Sequence, residues 1–387
     1  MSALKQLEEV YLDAINDPGF KKKFIELLDY AGRPTPLFFA KSLSDHLGGA
    51  KIYIKNEGLL HTGAHKLNNA LGQSLLAQRM QKKTLIAETG AGQHGLATST
   101  AAARSQMGCR VFMGEVDMKR QYPNVYNMKL LGTKVMAVKE GTRTLKDAVN
   151  AALKDWIEHL DDCHYIIGSA LGPHPYPTIV RDFQSIIGRE VKEQFNGLTG
   201  KLPDLIIACV GGGSNSLGIF HSFIDEDVKL IGVEAGGRGE EMGEHASRFL
   251  HPKIGIAQGY KSYFIQNEEG QLSQTHSISA GLDYGGISPE LAYLHDQKRV
   301  EFMRATDQEA LDAFKLLIKT EGVIPAMESS HAVAGAIRLA KNMPREKSMV
   351  VHISGRGDKD LFITAKHLDL KNWNEFLKQE IEEMSND

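Results

Sequence analysis

The sequence predicts an α/β fold with two open, mostly parallel β-sheets whose strands are joined by crossover helices. Apolar, strand-like runs alternate with helix-like segments along nearly the whole chain, which is typical of such sheets. The runs fall into two groups separated by a polar stretch at residues 196–201. Glycine-rich or polar turns follow several runs, and ligands bind at that end of parallel strands.

Each group of strands is defined by short apolar runs. The first group comprises residues 84–87, 110–113, 134–138 and 164–167, each followed by a helical stretch. The second group comprises residues 204–210, 229–233 and 348–353, with the early run 51–54 as a candidate to join it. Residues 258–274 carry few periodic signals, and we expect a surface loop or a short hairpin there.

The chain of 387 residues is long enough for two domains with separate cores. We expect the boundary near the helix that follows Pro177. This places residues 1–183 in an amino-terminal α/β domain and residues 184–387 in a carboxyl-terminal α/β domain.

The composition excludes several classes of protein. Basic and acidic residues are nearly balanced, 45 against 48, without a basic stripe, so we expect no nucleic-acid partner. The sequence has neither an apolar run long enough to span a membrane nor a signal peptide, and we expect a cytoplasmic protein. Cys109, Cys163 and Cys209 are scattered and are expected to be buried thiols rather than disulfides or zinc ligands.

Lys66 lies where the run at 51–55 passes, through a glycine-containing turn, into a helix expected at about 65–80. A lysine amine in that position could form an imine with an aldehyde cofactor if burial or a neighbouring cation lowered its pKa. The alternative is an ordinary solvated lysine.

A small and polar loop follows the run at 204–210, where another helix is expected to begin. Its residues are Gly211, Gly212, Gly213, Ser214 and Asn215. Glycines let backbone N–H groups turn towards an anion at a helix amino terminus. The spacing matches neither a dinucleotide fold nor a P-loop, which favours a small phosphomonoester. The alternative is a tight glycine turn.

The run at 84–87 leads into Glu88 and a second small-residue loop. That loop consists of Thr89, Gly90, Ala91, Gly92, Gln93 and His94, whose amides could approach a substrate carboxylate. Glu88 lies at the strand end, where a raised pKa would let it exchange protons with a substrate. The alternative is a structural glutamate that caps the next helix.

Two further junctions carry polar side chains. Ser354 ends the run at 348–353, and a serine hydroxyl can share a hydrogen bond with a ring nitrogen without forcing it to be protonated. Asp283 lies in a glycine-rich loop at residues 277–286. The alternatives are a serine that caps a turn and a charged turn.

Together these segments resemble the tryptophan synthase beta family of pyridoxal phosphate enzymes, from about residue 30 to residue 360. Further matching segments are residues 61–69, 120–125, 168–177 and 325–332. The resemblance implies that pyridoxal 5′-phosphate binds in the crevice between the two domains. It also implies that residues 32–64 cross over to the carboxyl-terminal domain and that residues 81–168 form a mobile closing subdomain.

The resemblance also assigns roles around the cofactor. Lys66 would bind it as an imine and later move the substrate α-proton. His65 and the 211–215 loop would hold the phosphate, Ser354 would face the pyridine nitrogen, and Glu328 would lie against the ring. The carbonyls that would bind a monovalent cation, K⁺, Na⁺ or NH₄⁺, are those of Gly211, Tyr284 and Gly286.

On the substrate side, Glu88 would assist loss of the serine hydroxyl and then take the indole N–H proton. The amides of residues 89–94 would bind the amino-acid carboxylate. Asp283 would contact the serine hydroxyl and pair with Arg120 as the site closes.

The reaction implied is a β-replacement, in which L-serine and indole give L-tryptophan and water, the last step of tryptophan biosynthesis. A serine or threonine deaminase of the same fold is one alternative. A weakly catalytic chain that activates an alpha chain is another. We expect a homodimer. Lys146 matches a position at the family's alpha-chain interface, but the segment that precedes the first helix in most relatives is absent, which puts alpha-chain binding in doubt.

Overall fold

The computed structural model describes residues 2–386, which contain twelve β-strands and sixteen α-helices. The strands are β1 (Leu37–Phe39), β2 (Lys51–Asn56), β3 (Thr84–Thr89), β4 (Gly108–Gly114), β5 (Lys134–Val138), β6 (Cys163–Tyr165), β7 (Leu205–Cys209), β8 (Lys229–Gly237), β9 (Ile254–Ala257), β10 (Tyr260–Tyr263), β11 (Val300–Thr306) and β12 (Ser348–Ile353). The helices are α1 (Ser2–Ala14), α2 (Pro18–Tyr30), α3 (Lys41–Leu47), α4 (Lys66–Arg79), α5 (Gln93–Arg104), α6 (Glu115–Arg120), α7 (Tyr122–Leu130), α8 (Leu145–Glu158), α9 (Tyr176–Gln184), α10 (Ile186–Thr199), α11 (Ser214–Phe220), α12 (Pro289–Asp296), α13 (Asp307–Glu321), α14 (Met327–Ala340), α15 (Leu361–Leu368) and α16 (Leu370–Asn386).

The strands form two main sheets, as the sequence predicted. One sheet has four parallel strands in the order β5-β4-β3-β6. The other has six strands in the order β1-β2-β12-β7-β8-β11, in which only β1 runs antiparallel to its neighbour. The prediction of an α/β fold with mostly parallel sheets and crossover helices is confirmed.

Three details of the strands differ from or extend the prediction. The early strand β2 does join the second sheet, where it pairs with β12. Sequence analysis missed β1, which has three residues, and β11, a half-buried edge strand whose apolar residues are interrupted by charged ones. A hairpin does form, from β9 and β10, but it spans residues 254–263 and so begins before the predicted segment and covers only its first part. The domain boundary stays a prediction.

Helices cover both faces of the six-stranded sheet, which explains why its central strands are continuously apolar. Alternate residues of β7 point into different cores. Ile207 and Cys209 pack on one side with residues of α14, whereas Ile206 and Ala208 pack on the other with residues of α10 and α11. Each fully buried isoleucine contributes roughly 1.5–3 kcal/mol to stability.

A network of buried charges ties the amino-terminal part of the chain to α10. The Arg33 guanidinium donates to both Glu57 oxygens, at 2.7 and 3.0 Å, and to both Glu190 oxygens, at 2.8 Å each. Lys55 Nζ donates to Glu190 at 2.5 Å. Although burial alone would raise the pKa of Glu57, the Arg33 guanidinium outweighs it and holds that pKa well below its usual range. Each buried charge therefore has an opposite charge beside it.

The same network fixes the start of α4. Arg33 donates to Asn68 Oδ1 at 2.9 Å, and Asn68 Nδ2 donates to Gln184 Oε1 at 3.1 Å. Gln184 Nε2 in turn donates to the carbonyl of His65 at 3.1 Å. The first turn of α4, which carries Lys66, is thus held by side chains from α9 and from the loop before β1.

The cysteines, the membrane and metal binding were also subjects of sequence-based expectations. All three cysteines are free and buried, as expected. None of the helices between residues 2 and 386 combines the length and the apolar character that a membrane span needs. In the same range, no group of three or more His, Cys, Asp and Glu side chains is placed to hold a metal ion.

Removing one partner of the buried network should destabilise the protein strongly. Glu190→Ala leaves Arg33 and Lys55 buried without one of their carboxylates, and we expect a loss of about 3–5 kcal/mol in the free energy of unfolding. Chemical denaturation measures this loss. As a control, Asp45→Ala removes an exposed ion pair with Lys41 and should leave the unfolding midpoint unchanged. A similar, small effect of both substitutions would contradict the role of the network.

Candidate functional site

A pocket opens between the two sheets, at the carboxyl ends of their strands. Its walls come from residues 88–94 after β3, residues 209–215 after β7 and residues 354–359 after β12, together with the start of α4. The segments that the sequence singled out are therefore brought together, as expected for open α/β sheets.

Lys66 is the first residue of α4, and its amine is buried in this pocket. Its Nζ donates to the carbonyl of Gly168 and lies 3.3 Å from Ser214 Oγ. Burial lowers the pKa of the amine to about 8, against the opposing effect of Glu88 and Glu328. A substantial fraction of the amine is therefore neutral near physiological pH, which a nucleophilic lysine requires.

The loop from Gly211 to Asn215 has no room for side chains at its glycines. A Cβ on Gly211 would lie 2.6 Å from the carbonyl oxygen of Gly281, and one on Gly212 would lie 2.5 Å from Ser169 Oγ. Gly213 has a φ of +110°, which L side chains rarely adopt. The first N–H groups of α11, which begins at Ser214, have no acceptors within the helix, so the loop suits an anion.

His65 contacts this loop by a hydrogen bond with the hydroxyl group of Ser214. Its Nδ1 lies 3.0 Å from the Ser354 carbonyl, and its Nε2 lies 3.0 Å from Ser214 Oγ. Burial, with the nearby Lys66, lowers the pKa of His65 to about 3, so the ring is neutral. Because a carbonyl can only accept, Nδ1 carries the proton and Nε2 accepts from Ser214. His65 is thus placed to orient Ser214.

Glu88 ends β3 with its carboxyl group buried in the pocket. Burial raises the pKa of this carboxyl to about 7. Within the part of the chain that the structure describes, Glu88 Oε2 has no hydrogen-bond partner. A buried carboxyl that titrates near neutrality and has a free oxygen is suited to exchange protons with a bound molecule.

The loop that follows Glu88 turns sharply into α5. Gly92 has a φ of +84°, and a Cβ there would lie 2.5 Å from Asn124 Cβ. Asn124 Nδ2 donates to the carbonyl of Ala91 at 2.8 Å, which fixes the turn. His94 Nε2 donates to the Ile166 carbonyl at 2.9 Å, and burial lowers the pKa of His94 to about 3, so this ring too is neutral. The carboxylate-binding role of the loop stays a prediction.

Ser354 lies at the opposite wall, in neutral surroundings. Its Oγ is 3.0 Å from Ser329 Oγ and 3.7 Å from the sulfur of Cys209. Burial raises the pKa of the Cys209 thiol to about 12, so both side chains that bond to this hydroxyl in the described part of the chain are neutral. The surroundings match the neutral hydrogen bond that the sequence suggested.

Glu328, by contrast, is held as a carboxylate. Its Oε1 accepts from the backbone N–H of Gly281 at 3.0 Å, and Lys359 Nζ lies 2.8 Å from Oε2. Burial alone would raise the pKa of Glu328, but the Lys359 ammonium outweighs burial and holds the pKa low. Lys359 also pairs with Asp360 at 2.6 Å.

The pair predicted between Arg120 and Asp283 is not formed in this structure. Arg120 Nη2 bonds to Asp117, three residues earlier, while Asp283 Oδ1 accepts from Thr275 Oγ1 at 2.7 Å. Burial raises the pKa of Asp283, because the hydrogen bond from Thr275 and the nearby positive charges do not offset the removal of this carboxyl from water. Pairing of Arg120 with Asp283 on closure stays a prediction, and it would require Arg120 to exchange one aspartate for the other.

The carbonyls predicted to bind a monovalent cation have a different neighbour. The Arg248 guanidinium donates to the carbonyls of Gly211, at 2.9 Å, and Tyr284, at 3.2 Å. Two of the three predicted ligands are therefore engaged by a side chain of the protein itself.

Sequence reasoning missed several residues of the site. They are Asp117, Gly168, Cys209, Arg248, Ser329 and Lys359. For Lys359 a signal existed, since it follows Ser354 by five residues in a charged turn at a strand end. No local signal pointed to Arg248, because its partners lie far away in the chain.

A family model described as "Pyridoxal-phosphate dependent enzyme" matches residues 28–355 of the chain. The match begins in α2 and ends just after β12, so it includes both main sheets. Lys66, Glu88, the 211–215 loop and Ser354 all lie within it. The match therefore covers well over half of the chain.

The tight packing of the glycine loop predicts that a single methyl group is not tolerated there. Gly211→Ala should lower the free energy of unfolding by about 1–3 kcal/mol, because the new Cβ meets a backbone carbonyl. The matched control is Gly197→Ala in α10, where a Cβ would meet nothing within 4 Å and helix propensity should slightly raise stability. Thermal melting compares the two variants, and equal melting temperatures would contradict the packing argument.

Proposed function

Because the chain belongs to the pyridoxal-phosphate dependent enzyme family, we propose a specific reaction for it, the β-replacement that converts L-serine and indole into L-tryptophan and water. In this reaction the serine Cβ–O bond breaks, a bond forms from Cβ to indole C3, and the hydroxyl leaves as water. The observation that carries the proposal is the presence of two buried groups that titrate near neutrality, Lys66 and Glu88, in one pocket.

The residues present fit pyridoxal phosphate. The glycine loop before α11 suits a phosphate, Lys66 offers an amine whose pKa burial lowers to about 8, and Ser354 offers a neutral hydroxyl for a ring nitrogen. When bound, the cofactor supplies an electron sink for negative charge at the amino-acid Cα.

Lys66 would act twice in the proposed reaction, first as the amine that holds the cofactor and then as the base that moves the Cα proton. Its lowered pKa serves both roles, since a neutral amine is both a nucleophile and a proton acceptor. The Gly168 carbonyl and Ser214 Oγ keep the amine within the pocket.

Glu88 would transfer protons to and from the substrate groups that react at Cβ. With a pKa of about 7, it can donate a proton to the departing serine hydroxyl and then accept the N–H proton of indole as C3 attacks. Loss of the C3 proton and return of a proton to the ring nitrogen then restore the aromatic indole of the product. A deaminase needs no acceptor for an indole proton, so Glu88 favours replacement over simple elimination.

The pocket also offers an apolar wall on the Glu88 side. Leu145 and Val149 of α8 and Leu171 line it. An indole ring would bind against such side chains, and it would displace water that could otherwise hydrolyse a reactive intermediate. In the proposed reaction, Arg120 would leave Asp117 and pair with Asp283, and this movement would close the pocket on the Glu88 side.

The lowered pKa of Lys66 predicts the pH dependence of cofactor loading. The neutral amine is the reactive form, so the rate at which apoprotein binds pyridoxal phosphate should rise with pH and level off above about 8. The growth of visible cofactor absorbance after mixing measures this rate. A rate that kept rising towards the ordinary lysine pKa would contradict the burial of the amine, and Lys66→Ala should abolish the absorbance change.

Substrate tests distinguish the proposed reaction from deamination. We expect the holoenzyme to form tryptophan from serine and indole, and indole to suppress pyruvate formation from serine. Glu88→Gln should lower the rate of tryptophan formation by about 10²–10⁴-fold while cofactor absorbance is retained. Glu301→Gln, which changes an exposed carboxylate paired with Lys229, is the control and should leave both rates unchanged.

The same assay has two outcomes that would contradict the proposal. Pyruvate formation that indole does not affect would identify a deaminase. If Glu88→Gln formed tryptophan at the wild-type rate, Glu88 would not be the residue that transfers these protons.

A further inference from the structure

Arg248 is the largest of the fully buried side chains, and it lies behind the pocket rather than in its lining. Its Nη2 donates to the carbonyls of Val210, at 2.8 Å, and Gly211, at 2.9 Å. Its Nη1 donates to the carbonyls of Ala246, at 2.5 Å, and Tyr284, at 3.2 Å. One cation is thus bound to four backbone carbonyls from three separate segments of the chain.

These segments include two loops of the candidate site. Val210 and Gly211 begin the glycine loop that suits a phosphate, and Tyr284 follows Asp283. Carbonyl oxygens that converge on one buried point repel each other unless a positive charge lies between them. Arg248 supplies that charge, so it fixes the position of one loop relative to the other.

Glu234 holds the guanidinium in place. Its Oε1 lies 3.0 Å from Arg248 Nε and accepts the backbone N–H of Arg248 at 2.9 Å, while Oε2 accepts the N–H of Phe249 at 3.2 Å. Arginine keeps its charge even when buried, and its planar donors point in fixed directions. The pair therefore forms a rigid element behind the pocket, in which the guanidinium of Arg248 carries the positive charge.

We propose that Arg248 is a positioning residue whose guanidinium serves as a built-in cation, so that cofactor binding needs no monovalent metal ion at these carbonyls. The guanidinium engages two of the three carbonyls, those of Gly211 and Tyr284, at which the sequence predicted such an ion. A metal ion added there would lie against a fixed positive charge. The proposal rests on cofactor binding, which follows from family membership, and not on the choice of serine and indole as substrates.

The wild-type protein gives a test that requires no substitution. The affinity of the full chain for pyridoxal phosphate is measured by absorbance titration in KCl, NaCl and tetramethylammonium chloride at equal ionic strength. We expect the same affinity in all three salts. Affinity that fell by about tenfold or more in tetramethylammonium chloride would overturn the proposal, because it would show that a small metal cation is needed.

Substitution of Arg248 should create the cation dependence that the wild type lacks. In tetramethylammonium chloride, Arg248→Met should bind the cofactor at least about tenfold more weakly, and K⁺ or low concentrations of guanidinium should restore part of the affinity. If the substitution weakened cofactor binding only by disturbing the fold, small cations would not restore the affinity. Wild-type affinity in Arg248→Met, or a loss that neither cation restores, would overturn the proposal.

A control separates this role from general stabilisation by an arginine that binds several backbone carbonyls. Arg299 also donates to several backbone carbonyls, those of Phe223, Ile224, Glu226 and Val228, but it lies away from the pocket. Arg299→Met should lower the melting temperature without changing cofactor affinity in any of the three salts. If Arg248→Met does not fold, the wild-type comparison between salts still decides the question.

Discussion

The position of the candidate site depends on the buried contact of Arg33 with Glu57 and Glu190. Charges removed from water are stabilised only when opposite charges and hydrogen bonds meet them in good geometry, so this contact has little freedom to shift. It joins the end of β2 to α10 and, through Asn68, to the first turn of α4. The location of Lys66 follows from these constraints.

Burial shifts the pKa values of Lys66 and Glu88 in opposite directions. Removal from water disfavours a charged amine and a charged carboxyl alike, so it lowers the pKa of Lys66 and raises that of Glu88. Glu328 escapes this effect because the Lys359 ammonium is in direct contact with it. One enclosed space thus contains an amine and a carboxyl group that both titrate near neutrality, together with the carboxylate of Glu328.

Local patterns in the sequence were sufficient for most of the fold and for much of the site. The apolar runs predicted the central strands, and the glycine loops and Lys66 lie where short-range turn chemistry placed them. What could not be predicted depends on contacts between distant residues. The burial of Arg248 requires Glu234 and carbonyls from two other loops, which lie far from it in the chain. The edge strand β11 was missed because partial exposure interrupts its apolar pattern.

The bridge that His65 makes between Ser354 and Ser214 has a consequence for ligand size. An imidazole ring has no internal torsions, so hydrogen bonds at its two nitrogens fix the separation between the end of β12, which leads into Ser354, and the start of α11, which carries Ser214. A ligand that binds one end with a heterocycle and the other with an anion must match that separation. The pocket should therefore discriminate among anionic heterocycles by the length of the arm that joins ring and anion, independently of their reactivity.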